Sequence, residues 1–176
     1  MGGMTAVTFA ARYPDRISHL ITMGPGAFIT TPTLFGAGDG PSEGLKVLFE
    51  GYRDPSQATM KKLVEIMTFD SANASDELAA QRANNAQARP EHLANFLQGM
   101  AGGGPVRTAA TVEQVAGIRT STLLLHGRDD RVVHFEHSLR LVSVIPDSRL
   151  VLLNRCGHWA QLEHAVAQAP QKRAVV

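Results

Sequence analysis

The sequence predicts an α/β fold: parallel sheet strands with flanking helices, interrupted by a helical lid insertion. Three observations carry that expectation. Short apolar runs at Ile17–Met23, Thr122–Leu125 and Leu150–Leu153 read as strands. Helical patterns separate successive runs, and such alternation implies parallel neighbours. Between the first run and the second lie residues 30–110, whose apolar positions recur with helical spacing. Three regions follow: a helix and strand over 1–29, a helical lid over 30–110, and a C-terminal core over 111–176.

Residues 1–13 are small and apolar and read as a buried helix, with Pro14 placed where helices stop. Its first turn has no capping side chain, and Gly2 and Gly3 suit close approach to a strand or ligand. Gly24-Pro25-Gly26 closes the first strand, and residues 29–44, rich in Gly, Thr and Pro, read as a loop leaving the sheet. Leu45, Leu48, Phe49 and Tyr52 fall at i, i+3, i+4 and i+7, as do Met60, Leu63, Val64 and Met67. Residues 76–88 form a more polar helix that carries Arg82, and Pro90 opens the next, with Leu93, Phe96, Leu97 and Met100 on one face. Gly102-Gly103-Gly104-Pro105 marks a hinge or boundary. A short helix near 111–116, an amphipathic helix over 135–144 and a terminal helix over 159–169 complete the pattern.

Composition excludes several functions. At 176 residues the chain has room for a sizeable core. Lys and Arg total 17 against 16 Asp and Glu, so charge argues for neither nucleic acid nor an anionic membrane. No apolar run reaches the roughly 18 residues of a membrane span, and Arg12 interrupts any signal peptide. Ala6 stands where a myristoylation signal needs Ser or Thr. Cys156 is the single cysteine, which precludes an intrachain disulfide and fits a reducing, cytoplasmic setting. The Asn73-Ala74-Ser75 sequon is read as chance, for want of an export signal.

The chemistry converges on Cys156-Gly157-His158-Trp159, just past the last strand. A histidine on a loop at a strand end can reach a pocket. Upstream, Asp129 and Asp130 follow the second strand, and Asp130 lies 28 residues before His158, room for a helix and a returning strand. An acid that orients a histidine is two-thirds of a hydrolase triad. Spacing alone leaves Asp129 and Asp130 as rivals, and either can be a turn or capping aspartate. Cys156 sits too close to His158 on the same turn to be its nucleophile. His126, His134, His137 and His164 lack ligand spacing, so no metal is expected, and Gly102–Gly104 lack the Gly-Lys-Ser/Thr of a phosphate loop.

Met1-Gly2-Gly3-Met4-Thr5-Ala6, Met23-Gly24-Pro25-Gly26, Gly127-Arg128-Asp129-Asp130-Arg131 and Cys156-Gly157-His158-Trp159-Ala160-Gln161-Leu162-Glu163 together resemble the α/β-hydrolase fold. Within it they look most like the meta-cleavage product hydrolases, bacterial enzymes of aromatic degradation that split carbon–carbon bonds in 2-hydroxy-6-oxo-hexa-2,4-dienoates. The resemblance runs from residue 1 to about 165 and favours Asp130 over Asp129 as the acid. It implies His158 as general base, Arg82 as the clamp on the substrate carboxylate, and Trp159 as a wall of the pocket. It further implies a cofactor-free reaction on a small hydroxy-oxo-dienoate and a homo-oligomer. In that reaction the dienol is ketonised, water or serine adds to the distal carbonyl, and the bond breaks to a carboxylic acid and 2-hydroxypenta-2,4-dienoate.

In that family the serine stands in a Gly-x-Ser-x-Gly turn ahead of the acid and the histidine. Met1-Gly2-Gly3 matches the residues just after the serine. The expectation is therefore a C-terminal part of a longer hydrolase, inactive without the nucleophile. The backbone nitrogen of Met1 is half of the implied oxyanion hole, and at a chain terminus it is an amine. Residues 165–173, with Pro170, depart from the family's closing helix. Two other readings stand beside this one: an esterase or other acyl hydrolase of the same fold, and a non-catalytic module whose uncovered sheet edge binds a partner.

Overall fold

The computed structural model describes residues 1–26, 41–101 and 110–164. Three strands, β1 (His19–Met23), β2 (Ser121–Gly127) and β3 (Ser148–Leu153), form a sheet in the order β1-β2-β3 with every pair parallel. The register aligns Met23 with Leu125 and Leu125 with Val151, so the C-terminal ends of all three strands open on the same edge. α1 (Gly2–Arg12) precedes β1; α2 (Glu43–Arg53), α3 (Gln57–Met67), α4 (Asp76–Gln87), α5 (Pro90–Ala101) and α6 (Val112–Ala116) lie between β1 and β2, α7 (Glu136–Val144) between β2 and β3, and α8 (Ala160–Glu163) follows β3.

Strand boundaries move by a few residues from those read in the sequence. β1 starts at His19 because a 3-10 turn occupies Pro14–Arg16 and Ile17 only bridges to the strand in extended conformation. β2 runs on through His126 and Gly127, which pair with Leu152 and Leu153. A buried histidine is tolerated in that strand because both ring nitrogens find partners. α8 begins at Ala160 and stops at Glu163, and residues 165–169 of the expected helix lie outside the described residues. His164 leaves the helical region (φ −132°, ψ 46°) and caps it with an N–H bond to the Ala160 carbonyl. The Gly102–Pro105 hinge, the loop after Gly26 and the altered tail lie outside the described residues.

Helix starts follow their caps. Ser42, Ser56 and Ser75 accept the N–H of Leu45, Thr59 and Leu78, and Thr111 with Gln114 closes a capping box ahead of α6. α1 has no capping side chain on Met1; it is held by packing, with Met4, Val7 and Ala10 buried. Gly3 lets that helix approach β1, since a Cβ there would lie 2.9 Å from the Pro25 Cα.

Two apolar clusters result. One joins Val7, Leu20, Ile118, Leu124, Leu141 and Ile145 about the sheet. The other joins Met60, Leu63, Ile66, Met67 and Ala83 of the helical layer to Val132 and Trp159, which belong to loops beyond β2 and β3. The helical layer therefore sits on the C-terminal edge of the sheet. Ser42 donates its hydroxyl to the Val132 carbonyl (2.8 Å), and Arg131 donates to the Glu65 carbonyl (3.0 Å).

Candidate active site

The loop after β2 turns on Asp130. Its Oδ1 accepts the backbone N–H of Val132 (2.8 Å) and of Val133 (2.9 Å), the local bonding of a turn aspartate. Its Oδ2 lies 2.7 Å from His158 Nδ1. One carboxylate thus builds its own loop and holds a histidine 28 positions later. Asp129, the adjacent rival, points elsewhere: its Oδ1 is 3.5 Å from the Arg128 guanidinium.

Asp130 is buried, with no side-chain exposure, while the His158 side chain keeps 18% of its surface open. Burial pushes the Asp130 carboxyl up, but the nearby N–H groups of His126 and His158 outweigh it and hold the carboxyl below the usual carboxylate range. An ionised carboxylate only accepts, so His158 Nδ1 carries the proton. Nε2 is left without a hydrogen-bond partner among the described residues. An imidazole in that state can take a proton at Nε2 while the acid stabilises the resulting cation.

The histidine faces a cleft of about 350 Å³ bordered by Met1, Gly3, Met23, Gly24 and Trp159. Gly24 is the close neighbour: its φ is +53°, and a Cβ there would come within 2.9 Å of His158 Nδ1 and 3.2 Å of Asp130 Oδ2. The His158 loop is itself tied to the helical layer. Trp159 donates its backbone N–H to the Met67 carbonyl (3.0 Å). Glu163 Oε1 accepts from the N–H of Phe69 (2.7 Å) and Asp70 (3.0 Å), and Oε2 from that of Gly157 (2.7 Å).

Arg82 projects from α4 with its guanidinium carbon 4.2 Å from the Trp159 ring centroid, a cation–π stack. Desolvation lowers its pKa from the ordinary value, with Tyr52 opposing, and no carboxylate pairs with it among the described residues. It borders a second cleft, of about 340 Å³, with Tyr52, Met60, Leu63 and Leu93. Arg82 and Trp159 together stand between the helical cleft and the one at His158. Cys156 is fully buried, and burial, followed by the charges of Glu163, Asp130 and Asp129, pushes its thiol up to about 12, so it is no thiolate nucleophile.

A family profile described as the alpha/beta hydrolase fold matches residues 1–165. The chain belongs to the alpha/beta hydrolase fold family. Among hydrolases of this fold it is similar to a 2-hydroxy-6-oxononadienedioate/2-hydroxy-6-oxononatrienedioate hydrolase of Comamonas testosteroni, 43% identical over 95% of this chain and 57% of the relative. It is also similar to a 2-hydroxy-6-oxo-6-phenylhexa-2,4-dienoate hydrolase of Burkholderia cepacia, 42% identical over 95% of this chain and 57% of that one. Among solved structures, the corresponding phenylhexadienoate hydrolase of Rhodococcus sp. strain RHA1 superposes with a TM-score of 0.76 at 25% identity, covering 97% of this chain and 59% of that one. A meta-cleavage product hydrolase of Pseudomonas fluorescens IP01 superposes with a TM-score of 0.72 at 29% identity, over 94% and 57%. The alpha/beta hydrolase chain described here spans a little over half the length of the relatives it matches.

Of the residues the sequence singles out, Asp130, His158, Trp159, Arg82 and Met1, the fold brings the first two into contact, stacks the next two, and sets Met1 on the His158 cleft. The sequence does not single out Gly24, Glu163 or His126 as site residues. Gly24 stood in a Gly-Pro-Gly turn whose sign of φ a sequence does not display. Glu163 closes the stretch quoted with Gly-His-Trp for the family resemblance, which implies no role for it.

Proposed function

We propose that the whole protein hydrolyses a carbon–carbon bond in 2-hydroxy-6-oxo-hexa-2,4-dienoate type meta-cleavage products, with His158 as its acid–base group. The observation that carries this reading is the 2.7 Å bond between His158 Nδ1 and the buried Asp130 carboxylate. It leaves Nε2 as the proton-transferring atom at a cleft. The names and 42–43% identities of two relatives support the substrate class.

In this reading a serine from the segment that precedes Met1 in the whole protein supplies the nucleophile. The backbone N–H of residue 1 donates to the oxyanion. His158 first moves a proton between the dienol and keto forms, then accepts one from the attacking hydroxyl as the distal carbonyl is attacked. The carbon–carbon bond breaks, the leaving carbon takes the proton from His158, and hydrolysis of the acyl group completes the cycle. Asp130 holds the imidazole in the Nδ1–H tautomer throughout. Arg82 offers a planar fork of donors for the substrate carboxylate. Trp159 forms the wall between that group and the reacting carbon. The four helices α2 to α5 act as a lid.

The test is turnover by the whole protein. Decay of the dienoate absorbance of a ring-fission product, abolished by His158→Ala, is the expected result. Turnover of p-nitrophenyl esters with no loss of dienoate absorbance assigns the site to an acyl hydrolase instead.

A further inference from the structure

His126 lies at the end of β2 with its side chain fully buried, and the mechanism above leaves it without a task. Its environment nevertheless fixes its protons. Nε2 is 2.8 Å from the Val133 carbonyl oxygen, which can only accept, so Nε2 must bear a hydrogen. Nδ1 is 2.7 Å from Ser138 Oγ on α7, and in the neutral ring it accepts the serine hydroxyl. The same Nε2 lies 3.3 Å from Asp130 Oδ2, the oxygen that receives His158. The bond from Ser138 and the Nε2–H therefore aim the ring at Val133 and Asp130: the hydrogen goes to the Val133 carbonyl, and Asp130 Oδ2, which receives His158, stands 3.3 Å from the same nitrogen.

We propose that His126 is a positioning residue, whose Nε2–H, oriented by Ser138 and the Val133 carbonyl, shares Asp130 Oδ2 with His158 and aims the carboxylate at that imidazole. Three physical points argue for it. A carboxylate with no exposed surface needs donors for both oxygens, and with the loop amides on Oδ1, Oδ2 would otherwise face His158 alone. The loop amides fix Oδ1 but leave rotation of Oδ2 about that anchor to whatever bonds it. A neutral N–H supplies that second anchor without adding a charge, so Asp130 keeps its negative charge for the imidazolium formed at His158. Besides Asp130, the ionisable group that interacts with His126 is His137 of α7, itself beside His134, Glu136 and Arg140. His137 is held neutral near pH 7 by burial first and by neighbouring charges second. Ser138, by contrast, is the polar group that α7 places in hydrogen-bond contact with the ring.

This inference rests on reading Asp130 and His158 as the acid–base pair, and it is tested without turnover so that the two can fail separately. Long-range proton–nitrogen correlation spectra of the 176-residue chain are expected to show a neutral His126 protonated on Nε2. Protonation on Nδ1 instead would overturn the proposal. In His126→Phe, which removes the donor, the carbon-13 titration of the Asp130 carboxyl is expected to move upward by about one pH unit. In His126→Gln, which can return an N–H at the position of Nε2, it is expected to go back towards the unsubstituted value. The low-field proton resonance of His158 Nδ1–H should change in step. A folded His126→Phe chain in which both signals stay unmoved, or equal shifts in the Phe and Gln variants, would mean that His126 merely fills space.

Discussion

At Gly24 the backbone occupies the left-handed region that side chains avoid, and it does so beneath the His158 ring. A methyl there costs twice: strain at φ +53°, and contact at 2.9 Å with the nitrogen bonded to Asp130. Gly24→Ala is expected to lose about 1–3 kcal/mol of stability in denaturant melts. It should also displace the His158 ring, visible as a changed Nδ1–H resonance. The two adjacent acids make a second residue-scale comparison. Asp130→Asn leaves an amide whose NH2 can face the imidazole and reverse the bond that sets its tautomer. A fall in kcat of about three to four orders of magnitude is expected in the whole protein. Asp129→Asn should leave kcat within a few fold, because the hydrogen bond of that carboxylate among the described residues is to the Arg128 guanidinium and not to His158. Steady-state kinetics of the pair distinguishes them, and equal losses would mean that Asp130 has no special tie to catalysis.

At the scale of elements, what holds the helical layer to the sheet is polar as well as apolar. Met67 and Val132 pack across the junction, and Glu163 of α8 clasps three backbone amides on two separate segments. Hydrogen bonds to a charged group are each worth more than neutral ones, and an amide stripped of its acceptor is costly when water cannot replace it. Glu163→Ala is expected to destabilise the chain by about 2–3 kcal/mol. Its signature is local: the amides of Phe69, Asp70 and Gly157 should exchange with deuterium faster than those of β2. Uniform acceleration throughout the chain would instead indicate a global loss of stability with no clasp at this junction.

For the whole molecule, acid is the condition that tests the buried polar groups together. His137 of α7 has its pKa lowered from 6.5 to about 4, chiefly by burial. Because the unfolded chain binds that proton more readily, its contribution to stability is complete above 6.5 and is lost as pH falls towards about 4. Asp130 is also depressed in the fold, so its contribution is complete above the unfolded value of about 3.9 and disappears as pH falls further. Both act in the same direction, one after the other. The melting temperature should decline from about pH 6.5 downward and continue to fall below pH 4. His137→Phe removes a buried Nδ1 with no partner among the described residues and should flatten the upper part of that decline.

The sequence by itself determined the order of elements, because the strand runs and the helical spacing of Leu45, Met60 or Leu93 are properties of neighbouring residues. It also singled out the regions around Asp130 and His158, because an acid and a histidine just past strand ends are local patterns. Spacing alone left Asp129 and Asp130 as rivals, the family resemblance favoured Asp130, and tertiary structure puts its carboxylate on the histidine, since the two acids differ in direction and scarcely in chemistry. Tertiary structure alone decided for Arg82, whose stack on Trp159 joins α4 to a loop 77 positions later, and for His126 of β2, whose ring meets a serine on α7. Side-chain direction and the convergence of distant segments on one oxygen come from packing, and adjacent letters in a chain do not encode them separately.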